Sequence, residues 1–156
     1  MVKKLSFIFF KVLIFLDKIF NILTKRSILI YFNDFIQERS YRSIKILDKE
    51  IKFFVPNQIT NLRVDTYFSK EPETLDWIDG FEKKNNLIFW DIGANIGLYS
   101  IYNSLKNPKS TTIAFEPSSS NLRLLTRNIS INNLEKNIKV VPLPLTNKEN
   151  VFQDMN

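Results

Sequence analysis

The 156-residue sequence predicts an α/β fold in which helices flank a parallel sheet. Apolar runs at 87–91, 111–115 and 138–142 alternate with two stretches of helical periodicity. The first run ends on an aspartate and the second on a glutamate, and two of the three glycines, Gly93 and Gly97, follow the first run. Because strand–helix–strand connections are right-handed, this order predicts three parallel strands with a nucleoside site at their ends.

Residues 1–24 are predicted to form an amphipathic helix with a basic flank. The uninterrupted apolar run is too short to span a bilayer. Two interpretations remain: a helix lying on an anionic membrane surface, or a helix packed on the domain with its lysines in solvent, which we prefer. We therefore expect a cytoplasmic protein, with peripheral membrane contact through residues 1–24 as the alternative. The residues at helical spacing are Leu13, Leu16, Phe20 and Leu23.

Residues 1–66 are expected to form an accessory region of helix and hairpin, which precedes the main domain at 67–156. Segments 43–47 and 51–55 alternate apolar and polar residues, with 48–50 as their connection. This pattern predicts a β-hairpin.

A further helix is predicted to open at residues 71–74, with Ser69 as its N-cap. Leu75 and Ile78 should point inward, and Asp79 with the glycine after it should mark the end of the helix. This helix leads into the main domain.

The main domain is predicted to run strand, helix, strand, helix, strand. The nearly continuous apolar character of Leu87–Asp91 predicts a strand buried on both faces. A helix should follow from about Ile96. A second helix should begin at 117–121 and stop at Asn132-Asn133. The sequence thus predicts three parallel strands with flanking helices.

The composition excludes several chemistries. The chain has no cysteine and no histidine, so disulfides, thiolate metal sites and histidine-based nucleophilic mechanisms are absent. No metal site is expected. The net charge of +6 is modest, and we do not expect nucleic-acid binding from it.

The glycine turn at 91–97 has several chemical interpretations. A phosphate-binding loop is excluded because no Gly-Lys-Ser or Gly-Lys-Thr follows. The dinucleotide fingerprint fits poorly because Asn95 stands where its second glycine lets a pyrophosphate approach. What remains is a site for S-adenosylmethionine, which carries no phosphate. The plain alternative is an ordinary strand–helix turn with an acid that caps a helix.

Each polar residue of such a site has a chemical role. Glu116, at a strand end, can accept hydrogen bonds from both ribose hydroxyls, and Gly93 lets the loop backbone close on the methionine part. Asp91 can accept from the ammonium group or a bridging water. Asn95 can cap the helix and contact the ligand through its amide.

Several segments together resemble the FkbM-type methyltransferases. The resemblance covers about residues 67–152. It implies a partial class I methyltransferase (Rossmann-like) fold, S-adenosylmethionine as methyl donor, and usually transfer to an oxygen of a sugar-derived or secondary-metabolite acceptor. The segments are Phe89–Ser100, Ala114–Pro117 with Asn121, Val140–Asn147 and the upstream Lys70–Trp77.

The resemblance also implies a set of donor-site residues. Asn147 is expected near the adenine. Glu71 and Thr74 match the lead-in of the family and either close over the donor or simply cap a helix. The residues that match the donor site by position are Asp91, Gly93, Asn95, Gly97 and Glu116.

One departure from the family matters. Its later motif, close to Lys-Ile-Asp-Val-Glu-Gly, has no counterpart here. We therefore expect an N-terminal fragment that binds the donor but is inactive alone, with no catalytic base to nominate. Its expected partners are a small-molecule or glycan acceptor and a separately encoded C-terminal half. The alternatives are a nicotinamide-dependent oxidoreductase fragment and a non-catalytic membrane-associated module.

Overall fold

The computed structural model describes residues 1–82 and 85–145, which form two compact units. The first unit, Met1–Ser40, contains α1 (Val2–Thr24) and α2 (Leu29–Arg39). The predicted N-terminal helix is confirmed, whereas α2 was not predicted. Within the described residues, no helix has the length and apolar character needed to cross a membrane.

The second unit, from Tyr41 onward, holds a β-hairpin and a three-stranded parallel sheet of order β3-β4-β5. The predicted parallel α/β architecture is confirmed. The predicted division at residue 66 stays a prediction. The elements are β1 (Tyr41–Ile46), β2 (Lys49–Phe54), α3 (Gln58–Asp65), α4 (Pro72–Asp79), β3 (Ile88–Ile92), α5 (Leu98–Lys106), β4 (Thr111–Phe115), α6 (Ser119–Ile131) and β5 (Ile138–Val141).

The hairpin turn is tighter than the predicted connection at 48–50. Tyr41 pairs with Phe54 and Ile46 with Lys49, so only two residues lie between the strands. These residues, Leu47 and Asp48, both have positive φ (47° and 66°). This is the turn geometry that matches the twist of antiparallel strands, and it is adopted here without glycine.

The two helices before the sheet show where local signals were missed or misplaced. A capping box opens α3, in which Asn57 Oδ1 accepts from the Thr60 backbone N–H at 2.9 Å. The predicted N-cap of α4 at Ser69 is wrong, because Glu71 holds that position. The inward placement of Leu75 and Ile78 is confirmed.

The prediction that the first sheet strand is buried on both faces is wrong. Phe89 and Asp91 are buried, but Ile88, Trp90 and Ile92 are 55–64% exposed. Right-handed crossovers carry α5 and α6 to the same face of the sheet. Among the described residues, the opposite face of β3 is therefore uncovered, and β3 lies at the edge of the sheet.

Asn128 of α6 and Asn132, the C-cap of that helix, attach the hairpin. The buried Asn128 accepts from the Phe54 N–H at 2.8 Å and donates to the Ile96 carbonyl at 2.9 Å. Asn132 accepts from the Lys52 N–H at 3.0 Å and donates to the Lys52 carbonyl at 2.8 Å. Asn128 therefore connects β2 with the loop that follows β3.

Replacement of Asn128 by alanine should lower the free energy of unfolding by about 2–5 kcal/mol, because a buried N–H and a buried carbonyl lose their partners. Urea unfolding followed by circular dichroism measures this. Asn132→Ala is the matched control: its bonds to Lys52 are exposed, so its cost should be clearly smaller. Equal losses for the two variants would contradict the bridging role of Asn128.

Candidate functional site

The glycine turn forms a bend at the carboxyl end of β3. Gly93, Asn95 and Gly97 all have positive φ (76°, 56° and 89°). The backbone N–H groups of Gly93 and Ala94 both donate to the Phe115 carbonyl at 2.9 Å, which fastens the bend to the end of β4. Carboxyl ends of parallel strands are where ligands of such sheets bind.

Glu116 joins the two strand ends through its side chain. It is 4% exposed. Its carboxylate accepts from the Asn95 N–H at 2.7 Å, the Ser118 N–H at 2.9 Å and the Asn121 Nδ2 at 3.4 Å. A carboxylate offers roughly four acceptor positions. Glu116 therefore faces the bend and keeps capacity for a ligand donor.

Asp91 is the second buried acid of the bend. Its Oδ2 accepts from the Ser100 Oγ at 2.5 Å, and the residue is 7% exposed. Burial raises the pKa of Asp91, and the negative charge of Glu116 adds to this, although the bonds from Ser100 oppose it. A buried carboxylate at a strand end favours binding of a cationic ligand group, because the positive charge would compensate the buried negative charge of the carboxylate.

Asn95 does not cap the following helix, contrary to the prediction. The N-cap of α5 is Gly97, which makes no side-chain cap bond. The Asn95 Oδ1 instead accepts from Arg63 Nη1 at 2.5 Å. The backbone N–H of Asn95 thus donates to Glu116, while its side chain contacts α3.

The two glycines of the bend are needed for different reasons. A Cβ on Gly93 would meet no atom within 4 Å, so this glycine borders open space. A Cβ on Gly97 would lie 2.6 Å from the Leu125 Cδ1, so that glycine permits close packing of the bend against α6. Gly93 is thus the position at which a ligand can approach the backbone.

A cavity of about 150 Å³ lies between the bend and the helices that precede the sheet. Glu71 borders it and accepts from the Tyr99 hydroxyl at 2.8 Å, which lowers the pKa of Glu71. The Lys70 ammonium lies 3.3 Å from the same carboxylate. The residues along the wall are Arg63, Thr66, Tyr67, Lys70, Glu71, Gly93, Ala94, Asn95, Ile96, Leu98 and Tyr99.

Two predicted site residues, Thr74 and Asn147, are not found in the cavity wall within the described part of the chain. Thr74 is not among the cavity-wall residues in the described part of the chain; its N–H donates to the Glu71 carbonyl in the first turn of α4. Asn147 lies outside the described residues. The roles expected for both therefore stay predictions.

Arg63 is the site residue that sequence reasoning missed. It lies on α3, a helix that was not predicted, 32 positions before the Asn95 it contacts. The capping box at Asn57 and Thr60 was the local signal for α3. No local signal indicated that α3 would pack beside the glycine bend.

Part of the chain is similar in sequence to a curated protein. The chain is 36% identical over 62 residues to the methyltransferase sdnD of Sordaria araneosa. The match covers 40% of this chain and 24% of that protein, so the chain spans about a quarter of its relative. No protein-family profile matches the sequence. The sequence similarity is therefore to one part of a methyltransferase.

Solved structures of two proteins are similar to this chain at a low level. TYW2 of P. horikoshii in complex with MeSAdo is 18% identical, with a TM-score of 0.48 over 67% of this chain and 36% of that chain. The precorrin-6Y C5,15-methyltransferase of Geobacter metallireducens GS-15 is 25% identical, with a TM-score of 0.41 over 47% and 37%. Both TM-scores are below 0.5, so neither structure supports an assignment of the site. The assignment rests on the geometry of the site itself.

The two glycines should respond differently to alanine. Gly93→Ala should lower the free energy of unfolding by about 1–2 kcal/mol, the cost of the left-handed backbone. Gly97→Ala adds the collision with Leu125 and should cost about 2–5 kcal/mol. Thermal and urea unfolding compare them, and a Gly97→Ala variant as stable as Gly93→Ala would disprove the close packing.

Asp91 should make folding less favourable as pH rises. Its pKa is raised in the folded protein, so the folded state holds the proton more tightly than the unfolded chain does. The resulting stabilisation is present at low pH and is lost as pH rises from about 4 through the raised pKa.

Asp91→Asn removes this dependence, so its stability relative to the native chain should grow with pH across that window. Urea unfolding at a series of pH values from about 3.5 to 7 measures the difference. Asp76→Asn, at an exposed position of α4, is the control. A difference for Asp91→Asn that does not change with pH would refute the raised pKa.

Proposed function

We propose that this chain is the donor-binding part of an S-adenosylmethionine-dependent methyltransferase of the FkbM type, which transfers methyl to an oxygen of a small-molecule or glycan acceptor. The observation that carries the proposal is the meeting of the Glu116 carboxylate with the glycine bend, beside a cavity that has cations in its wall. The similarity to a methyltransferase supports the class.

The charges of the bend favour this donor over a dinucleotide. Asp91 and Glu116 are both buried acids beside the bend, and a pyrophosphate there would meet two carboxylates. Adenosylmethionine brings instead a ribose diol, which can donate to Glu116, and positive sulfonium and ammonium groups. Asn95, already bonded to Arg63, occupies the position where the dinucleotide fingerprint requires glycine.

The cavity suits the amino-acid end of the donor. Whole-ligand sites are roughly 300–1,000 Å³, so a cavity of about 150 Å³ accommodates only part of such a molecule. Arg63 and Lys70 can donate to the methionine carboxylate. Glu71, on the same wall, can accept from its ammonium group. The open space at Gly93 would let the methionine side chain of the donor, which links these groups to the ribose, pass close to the protein backbone.

The residues described here would hold and orient the donor. When bound, S-adenosylmethionine supplies a methyl group on a positively charged sulfur. Fixing that group in line with an acceptor oxygen lowers the barrier mainly through orientation. None of the described side chains is assigned as the base that takes the acceptor proton.

We further propose that this chain does not turn over substrate by itself. Among the described residues, the edge of β3 is unpaired and its Ile88, Trp90 and Ile92 face is exposed. An acceptor side would need further strands on that edge, supplied by additional polypeptide. Methyl transfer by the purified chain to any sugar or small-molecule acceptor would contradict this.

Titration calorimetry with S-adenosylhomocysteine tests the proposed function. Glu116→Gln keeps the size of the side chain but loses its charge and one acceptor, so affinity should fall about 10- to 100-fold. Glu135→Gln, an exposed residue, is the matched control and should bind as the native chain does. Unchanged affinity in Glu116→Gln, or displacement of the ligand by NAD, would defeat the proposal.

The assignment of the cavity to the methionine end has its own test. Arg63→Met should weaken S-adenosylhomocysteine binding about 10- to 100-fold, because a charge-assisted bond to the carboxylate is lost. Binding of 5′-methylthioadenosine, which has no amino-acid part, should not change. Arg123→Met on the exposed side of α6 is the control. Equal losses for both ligands would show that Arg63 only supports the bend.

A further inference from the structure

The N-terminal helix α1 carries a long apolar stripe that no described residue of its own unit covers. Its members follow one another at intervals of three and four, the spacing that places side chains on one helix face. Their exposed fractions lie between 43% and 70%. The stripe consists of Leu5, Ile8, Val12, Phe15, Ile19 and Ile22.

Within its own unit, α1 uses a different side to contact α2. Asp17 Oδ1 accepts from the Ser27 Oγ at 2.9 Å and from the Ile28 N–H at 2.7 Å, so it holds the start of α2. Leu13 and Ile14, beside Asp17, are only half-exposed. The apolar stripe therefore lies away from the residues that contact α2.

Positive charges border the stripe. Lys4, Lys11 and Lys18 each directly precede a stripe residue, so they form a row along one margin of it. The only acid of α1, Asp17, is engaged with the start of α2. The whole unit, residues 1–40, contains seven basic and three acidic residues. The margin of the stripe is thus cationic.

We infer that α1 lies on an anionic lipid membrane surface, with the apolar stripe inserted among the acyl chains and the lysine row on the lipid phosphates. A wide apolar face with lysines on its polar side is the composition of interfacial helices. Long lysine stems let the apolar part of these residues follow the stripe while the ammonium groups reach the headgroups. This inference does not rest on the proposed methyl-donor site.

The breadth of the apolar face favours a lipid surface over a second copy of the chain. The stripe alone could form the seam of a two-stranded coiled coil. However, Phe9, Leu16 and Leu23 beside it are also 47–77% exposed, and a seam of two helices would leave them in water. A membrane surface covers the stripe and these residues together.

Vesicle flotation of the full chain tests the inference. The chain should float with mixed phosphatidylcholine–phosphatidylglycerol vesicles at low salt, and less at high salt or with phosphatidylcholine alone. Lys11→Gln with Lys18→Gln should weaken binding about 25-fold, since each surface lysine contributes about fivefold. Lys136→Gln with Lys139→Gln makes the same charge change at exposed positions of the other unit and should have no effect.

The apolar stripe is tested separately. Phe15→Ser with Ile19→Ser should abolish flotation on both kinds of vesicle. Ile59→Ser with Leu62→Ser, which alters two exposed apolar residues of α3, should not. The inference fails if the chain does not float at low salt, or if it floats equally on neutral and anionic vesicles. It also fails if sedimentation shows a dimer that Phe15→Ser with Ile19→Ser dissociates while flotation is absent.

Discussion

The arrangement of the site depends on one buried carboxylate, that of Glu116. It accepts from the backbone of the bend after β3 and from the backbone of the loop after β4, so it sets the spacing between the two loops. These N–H groups lie in half-buried residues and would otherwise lose their carboxylate partner, and polar groups shielded from water are costly to leave unpaired. The acid proposed to meet the ribose is therefore the same group that shapes its pocket. Structure and binding at this position cannot be separated by simple removal of the side chain.

Several features around this carboxylate lower the stability of the folded state, and folding alone does not require them. Asp91 is buried next to a like charge, and burial raises its pKa. Three residues of the bend are held in the left-handed region, one of them an asparagine. The Asn128 side chain donates to the Ile96 carbonyl and so stabilises the bend after β3. Unfavourable backbone conformations and buried charge concentrated at one bend, with neighbouring residues that stabilise them, are typical of a functional site.

Much of the fold was predictable because its signals are local. The strand Thr111–Phe115 has the predicted bounds, and the asparagines at 132–133 end α6 as expected. Burial was less predictable: Ile88, Trp90 and Ile92 are as apolar as buried strand residues, yet the described structure leaves them uncovered. Apolar character shows that a surface is suited to burial, but whether it is covered depends on what packs there.

From the sequence alone followed the order of the strands and helices, the glycine bend between two acids, and the exclusion of histidine and cysteine chemistry. These depend on residue identity and near-neighbour spacing, which the chain carries in itself. Only the tertiary structure decided that Arg63 meets Asn95, that Gly97 serves packing while Gly93 borders open space, and that the apolar stripe of α1 points away from α2. Each of these is a contact, or the lack of one, between segments distant along the chain. Such contacts arise from how whole elements pack, which no local pattern encodes.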